Sequence, residues 1–348
     1  MGENSKNKRT IKSTEAWEKL MSNFTDDLWI ELMIAAKDDQ VLIVHGESHE
    51  LEEVDDGSFS LFHLGSARIC SDCGIVCVSV DLSDWPVTKK DFDMYLWNPA
   101  TRHSKLIPPY TKPDDGSTSG AFGFGFDHID LDFKLVKVLS RSLSAQVYSS
   151  NRNVWRNIQP KPIDFPQGNI FDVCFHGFLF AIGKNSGMMA FDLNKELFIC
   201  DINLPGDAQS SLKTRVCDFK DTVAVMFSNM VNGKIQLWTL DDEACLCGGG
   251  VKALWTNVLS IDLGVPLNFV EGLFNNFQLL LVNRDGDRFM YDLTKKVTTN
   301  VTGPYFETGE IFKYTESLFL LEGFKRIKWA ASSMRLQDSS DSDEEMDE

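Results

Sequence analysis

The chain has 348 residues, 43% hydrophobic and 11% aromatic, and a formal net charge of -17. So much apolar content excludes a disordered chain and supports a large core, in roughly one to three domains. The acidic balance argues against a nucleic-acid-tracking surface, which needs clustered Lys and Arg. No stretch approaches the roughly 20 uninterrupted apolar residues of a membrane-spanning helix. The opening "MGENSKNKRTIKS" lacks the apolar centre of a signal peptide, and Lys6 stands where a myristoylation motif wants Ser or Thr. No nucleic-acid and no membrane partner is expected. The expected location is cytoplasmic, extending to the nucleus.

Taken in chain order, residues 1–13 read as a basic, disordered start. In "TEAWEKLMSNFTDDLWIELMIAA", Phe24, Leu28, Leu32 and Ala35 or Ala36 fall on one helical face, with Thr25 as an N-cap. Residues 14–37 are therefore expected to form a short helical segment. From there the pattern changes to short runs rich in Val, Ile, Leu and Phe and bounded by Gly, Asn and Asp: "QVLIVHG", "GIVCVSV", "FKLVKVL", "VCFHGFLFAIG", "TVAVMF", "QLLLVN" and "SLFLLEG". These are strands. The chain closes on "DSSDSDEEMDE", with seven carboxylates in eleven residues. Residues 328–348 are expected to be a disordered acidic tail.

Within the strand region one pattern recurs: "LWNPATR" from 96, "VYSSNRNVW" from 147, "AFDLNKELF" from 190, "LWTLDDEAC" from 237 and "MYDLTKKV" from 290. In each copy an aromatic residue (Trp97, Tyr148, Phe191, Trp238, Tyr291) precedes polar turn formers, as in a hairpin. A period of this size marks units that cover one another's exposed faces, and β-units that do so close into a ring that hides their edges. The expected fold is an all-β propeller over 38–327, with about six four-stranded blades.

Several of these strings, taken in order, resemble the plant F-box-associated propeller family, which includes the S-locus F-box-like proteins. "WNPATRHSKLIPP" is similar to that family's signature strand and turn, with Trp97, Asn98, Pro99, Thr101 and Arg102 in the matching places. "FGFGFDHIDLDFKLVKVL" resembles its Gly-aromatic strand and Asp-rich turn through Gly123, Gly125 and Asp127, and "VYSSNRNVWRNI" its strand-turn-Trp unit through Tyr148 and Trp155. The resemblance spans roughly 55–325. It implies a protein-binding module like the substrate-recognition subunit of a Skp–cullin–F-box (SCF) ubiquitin ligase, which meets its target through propeller loops. In that family an F-box docks on a Skp-type adaptor of a cullin ligase. Here only "FTDDLWIELM" resembles its first helix. Leu28, Trp29 and Leu32 are then either the remnant of an adaptor-binding face or residues that pack the helix on the propeller, and adaptor binding is expected to be weak or absent.

The residues give little reason to expect catalysis, and the chain is read as a non-enzyme without cofactor or metal. "FGFGF", residues 122–126, lacks the helix-opening third glycine of a dinucleotide fingerprint, and no "GxSxG" elbow occurs. His45 and His49 lie four apart, a spacing that joins two ligands only on a helix. Cys70, Cys73 and Cys77 have no second knuckle of suitable spacing and read as free thiols. The competing class is a propeller hydrolase or glycan-binding protein, which small-molecule turnover or thermal stabilisation would reveal. Recognition is expected in "YTKPDDGSTSG", "LPGDAQSSLKTR" and "CGGG", since function collects on loops of rigid scaffolds. Ser340 and Ser342 each have an acidic residue three positions on, the spacing that acidophilic kinases prefer.

Overall fold

The computed structural model describes residues 31–37, 40–45, 51–54, 68–81, 92–111, 120–139, 144–159, 164–168, 170–184, 187–205, 212–247, 252–274, 276–301, 310–315 and 317–326. Residues 1–30, with Leu28 and Trp29, and 327–348, with Ser340 and Ser342, lie outside them. So do most of the loop strings singled out for recognition. Among the described residues every regular element is a strand apart from one 3₁₀ turn, Ala244–Cys247.

In chain order, β1 (Glu31–Lys37), β2 (Gln40–His45) and β3 (Leu51–Val54) belong to the first sheet. The second holds β4 (Arg68–Asp72), β5 (Ile75–Asp81), β6 (Phe92–Asn98) and β7 (His103–Leu106); the third β8 (Gly120–Asp127), β9 (Asp132–Leu139), β10 (Ala145–Ser149) and β11 (Val154–Asn157). The fourth comprises β12 (Val173–Phe175), β13 (Phe178–Ile182), β14 (Met188–Asp192) and β15 (Leu197–Ile202), and the fifth β16 (Lys213–Asp218), β17 (Val223–Asn229), β18 (Lys234–Leu240) and β19 (Trp255–Asp262). β20 (Leu267–Phe274), β21 (Gln278–Asn283), β22 (Arg288–Asp292) and β23 (Val297–Asn300) follow, before β24 (Glu310–Thr315) and β25 (Lys325–Arg326) return the chain to its beginning.

β24 pairs with β1, so the first sheet runs β24-β1-β2-β3, and β25 pairs with β7 on the outer edge of the second. The inner strands β24, β4, β8, β12, β16 and β20 touch in that cyclic order, with β20 against β24 closing the circle. The fold is a β-propeller. The expectation of about six four-stranded blades needs correction in its detail: five sheets have four strands, and the one built on β4–β7 has five because β25 adds to it.

The helical expectation for 14–37 is overturned over its last seven residues. Glu31–Lys37 are strand β1, with Leu32 opposite His45 on one side and Tyr314 on the other. A short apolar run such as "LMIAA" suits a helix face and a buried central strand equally, and periodicity cannot separate them. The partner strand from the far end of the chain decides. Leu32 is therefore a strand residue, and Leu28 and Trp29 lie outside the described residues.

The recurrent aromatic has a structural basis. Trp97, Tyr148, Phe191, Trp238 and Tyr291 each lie on the third strand of a sheet, namely β6, β10, β14, β18 and β22. In four of the five, the next residue caps the following turn. Asn98 Oδ1 accepts from Thr101 N (3.2 Å), Ser149 Oγ from Arg152 N (3.1 Å), Asp192 Oδ1 from Lys195 N (2.9 Å) and Asp292 Oδ1 from Lys295 N (2.8 Å). Each turn ends four residues after its cap in the left-handed region, at Arg102 (φ 57°), Asn153 (55°), Glu196 (57°) and Lys296 (57°). Short polar side chains reach the turn amides, which is why Asn, Ser and Asp follow the aromatic. The fifth copy departs: the chain runs from β18 into the longer 241–254 connection.

Burial follows from the stacking of sheets around a ring. β8, β9, β10 and β14 are buried at every residue, because sheets cover both of their faces, whereas the outer strand β23 is exposed throughout. Hence the apolar bias of the middle strands, even with Lys134 and Lys137 buried in β9, and the exposure of an outer strand such as β23.

Candidate interaction site

The pairing registers place the turns 73–74, 99–102, 128–131, 150–153, 176–177, 193–196, 219–222 and 276–277 at one end of the ring. Neighbouring sheets are stitched together there. Asn98 Nδ2 donates to the carbonyls of Ser317 (2.9 Å) and Phe319 (2.8 Å), while its Oδ1 caps its own turn. Ser317 Oγ donates to Cys73 O (3.0 Å), and Phe319 packs its ring against Phe126 and Phe133. Asn98, wholly buried, therefore clasps the chain that leaves the last inner strand. Gly74, at φ 75°, leaves the room: a Cβ there would lie 2.2 Å from Ser317 Oγ.

Between the third and fourth sheets the joint is ionic. Lys134 Nζ meets Asp127 Oδ2 (2.8 Å), Leu193 O (2.8 Å) and Glu196 Oε1 (3.3 Å), and Glu196 is also paired with Arg156. Asn194 Nδ2 donates to Asp127 Oδ2 (3.2 Å). Burial alone would raise the Asp127 pKa, but the hydrogen bond from Lys134 and those from the Ile129 and Asp130 amides outweigh it and hold the carboxyl below its ordinary range. Burial likewise opposes the Lys134 charge, and the bond to Asp127 with the carboxylates around it holds the ammonium above its usual pKa. On the same sheet, Asp132 accepts from Ser149 Oγ (2.5 Å), Ser150 Oγ (2.8 Å) and Asn151 N (2.9 Å). Tyr148 donates to Asn153 Oδ1 (2.8 Å), and Trp155 Nε1 to Pro108 O (2.6 Å).

The glycines of "FGFGF", Gly123 and Gly125, sit on inner strand β8, where the fourth sheet comes closest. A Cβ on Gly123 would lie 2.8 Å from Leu179 and Phe171 atoms, and one on Gly125 2.3 Å from Cys174 Sγ. Cys174 in turn shares Asp72 with Cys73, and Cys70 faces Cys77 across β4 and β5. Burial pushes the Cys70, Cys73 and Cys174 thiols well up, so they are neutral and poorly nucleophilic. Among the described residues no group of three or more His, Cys, Asp or Glu could hold a metal ion.

The inner strands enclose a cavity of about 690 Å³. In its wall Arg288 grips Glu271 Oε1 with Nε (2.8 Å) and Nη2 (2.7 Å), and Arg215 Nη1 donates to the carbonyls of Val270 (3.0 Å) and Glu271 (2.7 Å). Burial raises the pKa values of Asp72, Asp172 and Glu271.

The residues of the expected signature thus come together in one structural role. Trp97, Asn98, Pro99, Asp127 and Tyr148 are buried in the joints, Gly123 and Gly125 are points of close approach, Thr101 and Trp155 are half-buried, and only Arg102 is exposed. What the same end offers to a partner is a different set: Ile129, Leu131, Leu318 and Leu320, each more than half exposed. Leu318 and Leu320 alternate with Phe319, whose ring lies against those flanking the Ile129–Leu131 turn. Sequence reading missed Lys134, Glu196 and the Arg215–Glu271–Arg288 group. The one available signal was the pair of lysines, Lys134 and Lys137, in a strand otherwise rich in Phe, Leu and Val.

A closed ring of antiparallel sheets, joined at one end by buried polar clasps and bearing exposed apolar side chains beside them, defines a rigid propeller scaffold. The chain matches the model of the F-box associated beta propeller domain over residues 31–245, and it belongs to that family. It is 23% identical over 251 residues to the F-box/kelch-repeat protein At3g23880 of Arabidopsis thaliana, covering 65% of this chain and 63% of the relative. A second Arabidopsis thaliana chain with an F-box protein name, At1g46984, is 27% identical over 151 residues, 42% of this chain and 38% of that one. The chain thus spans less than two thirds of the length of these curated relatives. Among solved structures, dihydro-heme d1 dehydrogenase NirN in complex with DHE aligns with a TM-score of 0.41 at 10% identity, over 79% of this chain and 64% of that one.

Proposed function

We propose that this protein is a non-enzymatic interaction module that captures a target protein at the turn-bearing end of its propeller, through Ile129, Leu131, Leu318 and Leu320. The family match supports the class, and the exposed apolar residues on a rigid polar frame support the place, because binding surfaces are enriched in such side chains held by preorganised scaffolds. In this reading the protein works in the cytoplasm and nucleus, beside or within a ubiquitin ligase of the Skp–cullin–F-box type.

The adaptor arm is the weaker part. A stable interface buries on the order of 800 Å² per partner, and the single short segment that resembles an F-box offers little of that. Isothermal titration of the full chain with a Skp-type adaptor tests it, beside Leu28→Asp. The expected result is an affinity weaker than about 10 μM, on the scale where each factor of ten is about 1.4 kcal/mol. Submicromolar binding that Leu28→Asp abolishes would make the chain a full substrate receptor instead.

A further inference from the structure

The chain is strongly acidic, yet the outer corner of the second and third sheets is basic. β25 pairs Lys325 with Ser104 and Arg326 with His103, bringing the 317–326 strap that follows β24 back to the 99–102 turn, where Arg102 is exposed. Lys105 Nζ lies 3.1 Å from Glu322 O and 3.4 Å from Ser150 O, which ties this edge to the 150–153 turn and its exposed Arg152. Arg152 and Lys325 make no ion pair with any described residue. The carboxylates whose charge reaches Lys105 are Glu322 and Asp132, and Asp132 is already engaged by Ser149, Ser150 and the Asn151 amide. A concentration of like charge inside a chain of opposite sign is a local attractor for an acidic segment.

Such a segment lies in the same chain. The eleven residues from Asp338 to Glu348 carry seven carboxylates, and they begin twelve residues after Arg326. A random-coil linker of eleven residues, the number between Arg326 and Asp338, has an r.m.s. span of about 18 Å and reaches about 38 Å at full extension. The basic corner starts at the strand from which the link departs. We propose that the acidic segment 338–348 docks on the basic corner formed by Lys105, Arg152 and Lys325, beside the apolar surface assigned to target capture. Phosphorylation of Ser340 and Ser342 would add about -1.5 to -2 charge each and tighten this contact.

A link of this length holds the segment at an effective concentration on the order of 1 mM. If the same segment binds as a free peptide with a dissociation constant near 100 μM, the intramolecular copy weakens it about elevenfold by simple competition. The experiment uses full-length chains throughout and needs no target. A labelled 338–348 peptide is titrated by fluorescence anisotropy into the wild type and into a variant whose seven acidic residues are amides (D338N, D341N, D343N, E344Q, E345Q, D347N, E348Q). Arg152→Glu and Lys325→Glu are then added to that amide variant, with melting curves to verify folding.

The expected result is binding to the amide variant at 50 mM salt, at least fivefold weaker binding to wild type, and further weakening by either glutamate and by 300 mM salt. A peptide phosphorylated at both serines should bind at least threefold more tightly. Equal binding to wild type and amide variant would overturn the intramolecular contact. So would no binding to the amide variant, and insensitivity to both glutamates would overturn its place.

Discussion

Replacing Asn98 by alanine removes three hydrogen bonds at once: two to the carbonyls of Ser317 and Phe319 and one from Thr101 N. Each is worth about 1 kcal/mol net, and leaving a buried group without its partner costs roughly 1–3 kcal/mol more. The strap is partly exposed, so water recovers some of that penalty for the carbonyls, and we expect a loss of about 3–4 kcal/mol. For a ring of roughly 290 residues the unfolding entropy is about 0.6 kcal/mol per kelvin, so the melting temperature should fall by about 5–7 °C. The effect should also be local. Amide exchange should quicken in residues 317–324 and in the 73–74 turn before it changes in β13 or β17. A fall below 1 °C, with unchanged exchange in the strap, would refute the idea that the signature asparagine is a clasp.

Gly125→Ala should cost about 1–3 kcal/mol in urea unfolding, because its Cβ meets Cys174 Sγ, and Cys174→Ala introduced with it should restore most of the loss. Lys134→Met leaves Asp127 buried without its cation and Glu196 with Arg156 alone, and should destabilise by roughly 3–5 kcal/mol, with a smaller loss for Lys134→Arg. The pH dependence has two opposed parts. Asp127, held low when folded, contributes stability that is present above its unfolded pKa of about 3.9 and is lost as pH falls through the lower folded value. Asp72, Asp172 and Glu271 are held high, so each gives stability back as pH falls from neutral toward its unfolded value. Urea unfolding of Glu271→Gln should therefore show a shallower rise than wild type between pH 7 and 5. Ile34→Pro places a ring in the middle of β1, which is paired on both sides, and should cost 3 kcal/mol or roughly more and loosen the join to β24; unchanged melting would contradict the strand assignment.

Much of the ring could be read from the sequence because its repeat has a local cause. Each aromatic followed by Asn, Ser or Asp is a third strand with its turn cap, and both parts of that signal lie within five residues. What could not be read depends on distant partners. β1 is a strand because β24 lies beside it, nearly the whole chain away. The role of Asn98 rests on carbonyls 219 and 221 residues further on. Lys134 and Lys137 are nearly fully buried, the first among carboxylates and the second 5.6 Å from the Tyr110 ring, although a lysine in a strand ordinarily marks a solvated face. The Asp127 turn was legible as a cap, but its partnership with the next sheet was not, since nothing local brings Asn194 and Lys134 to the same carboxylate.

The most direct test of the account is affinity capture from the native proteome with three immobilised, folded full-length proteins: wild type, Ile129→Asp with Leu318→Asp at the turn-bearing end, and Val231→Asp with Val265→Asp in connections at the opposite end. The account predicts a saturable protein partner that wild type and the opposite-end variant retain alike and that the turn-end variant loses by at least tenfold. A partner that follows Val231 and Val265, or capture that ignores both pairs, would contradict it.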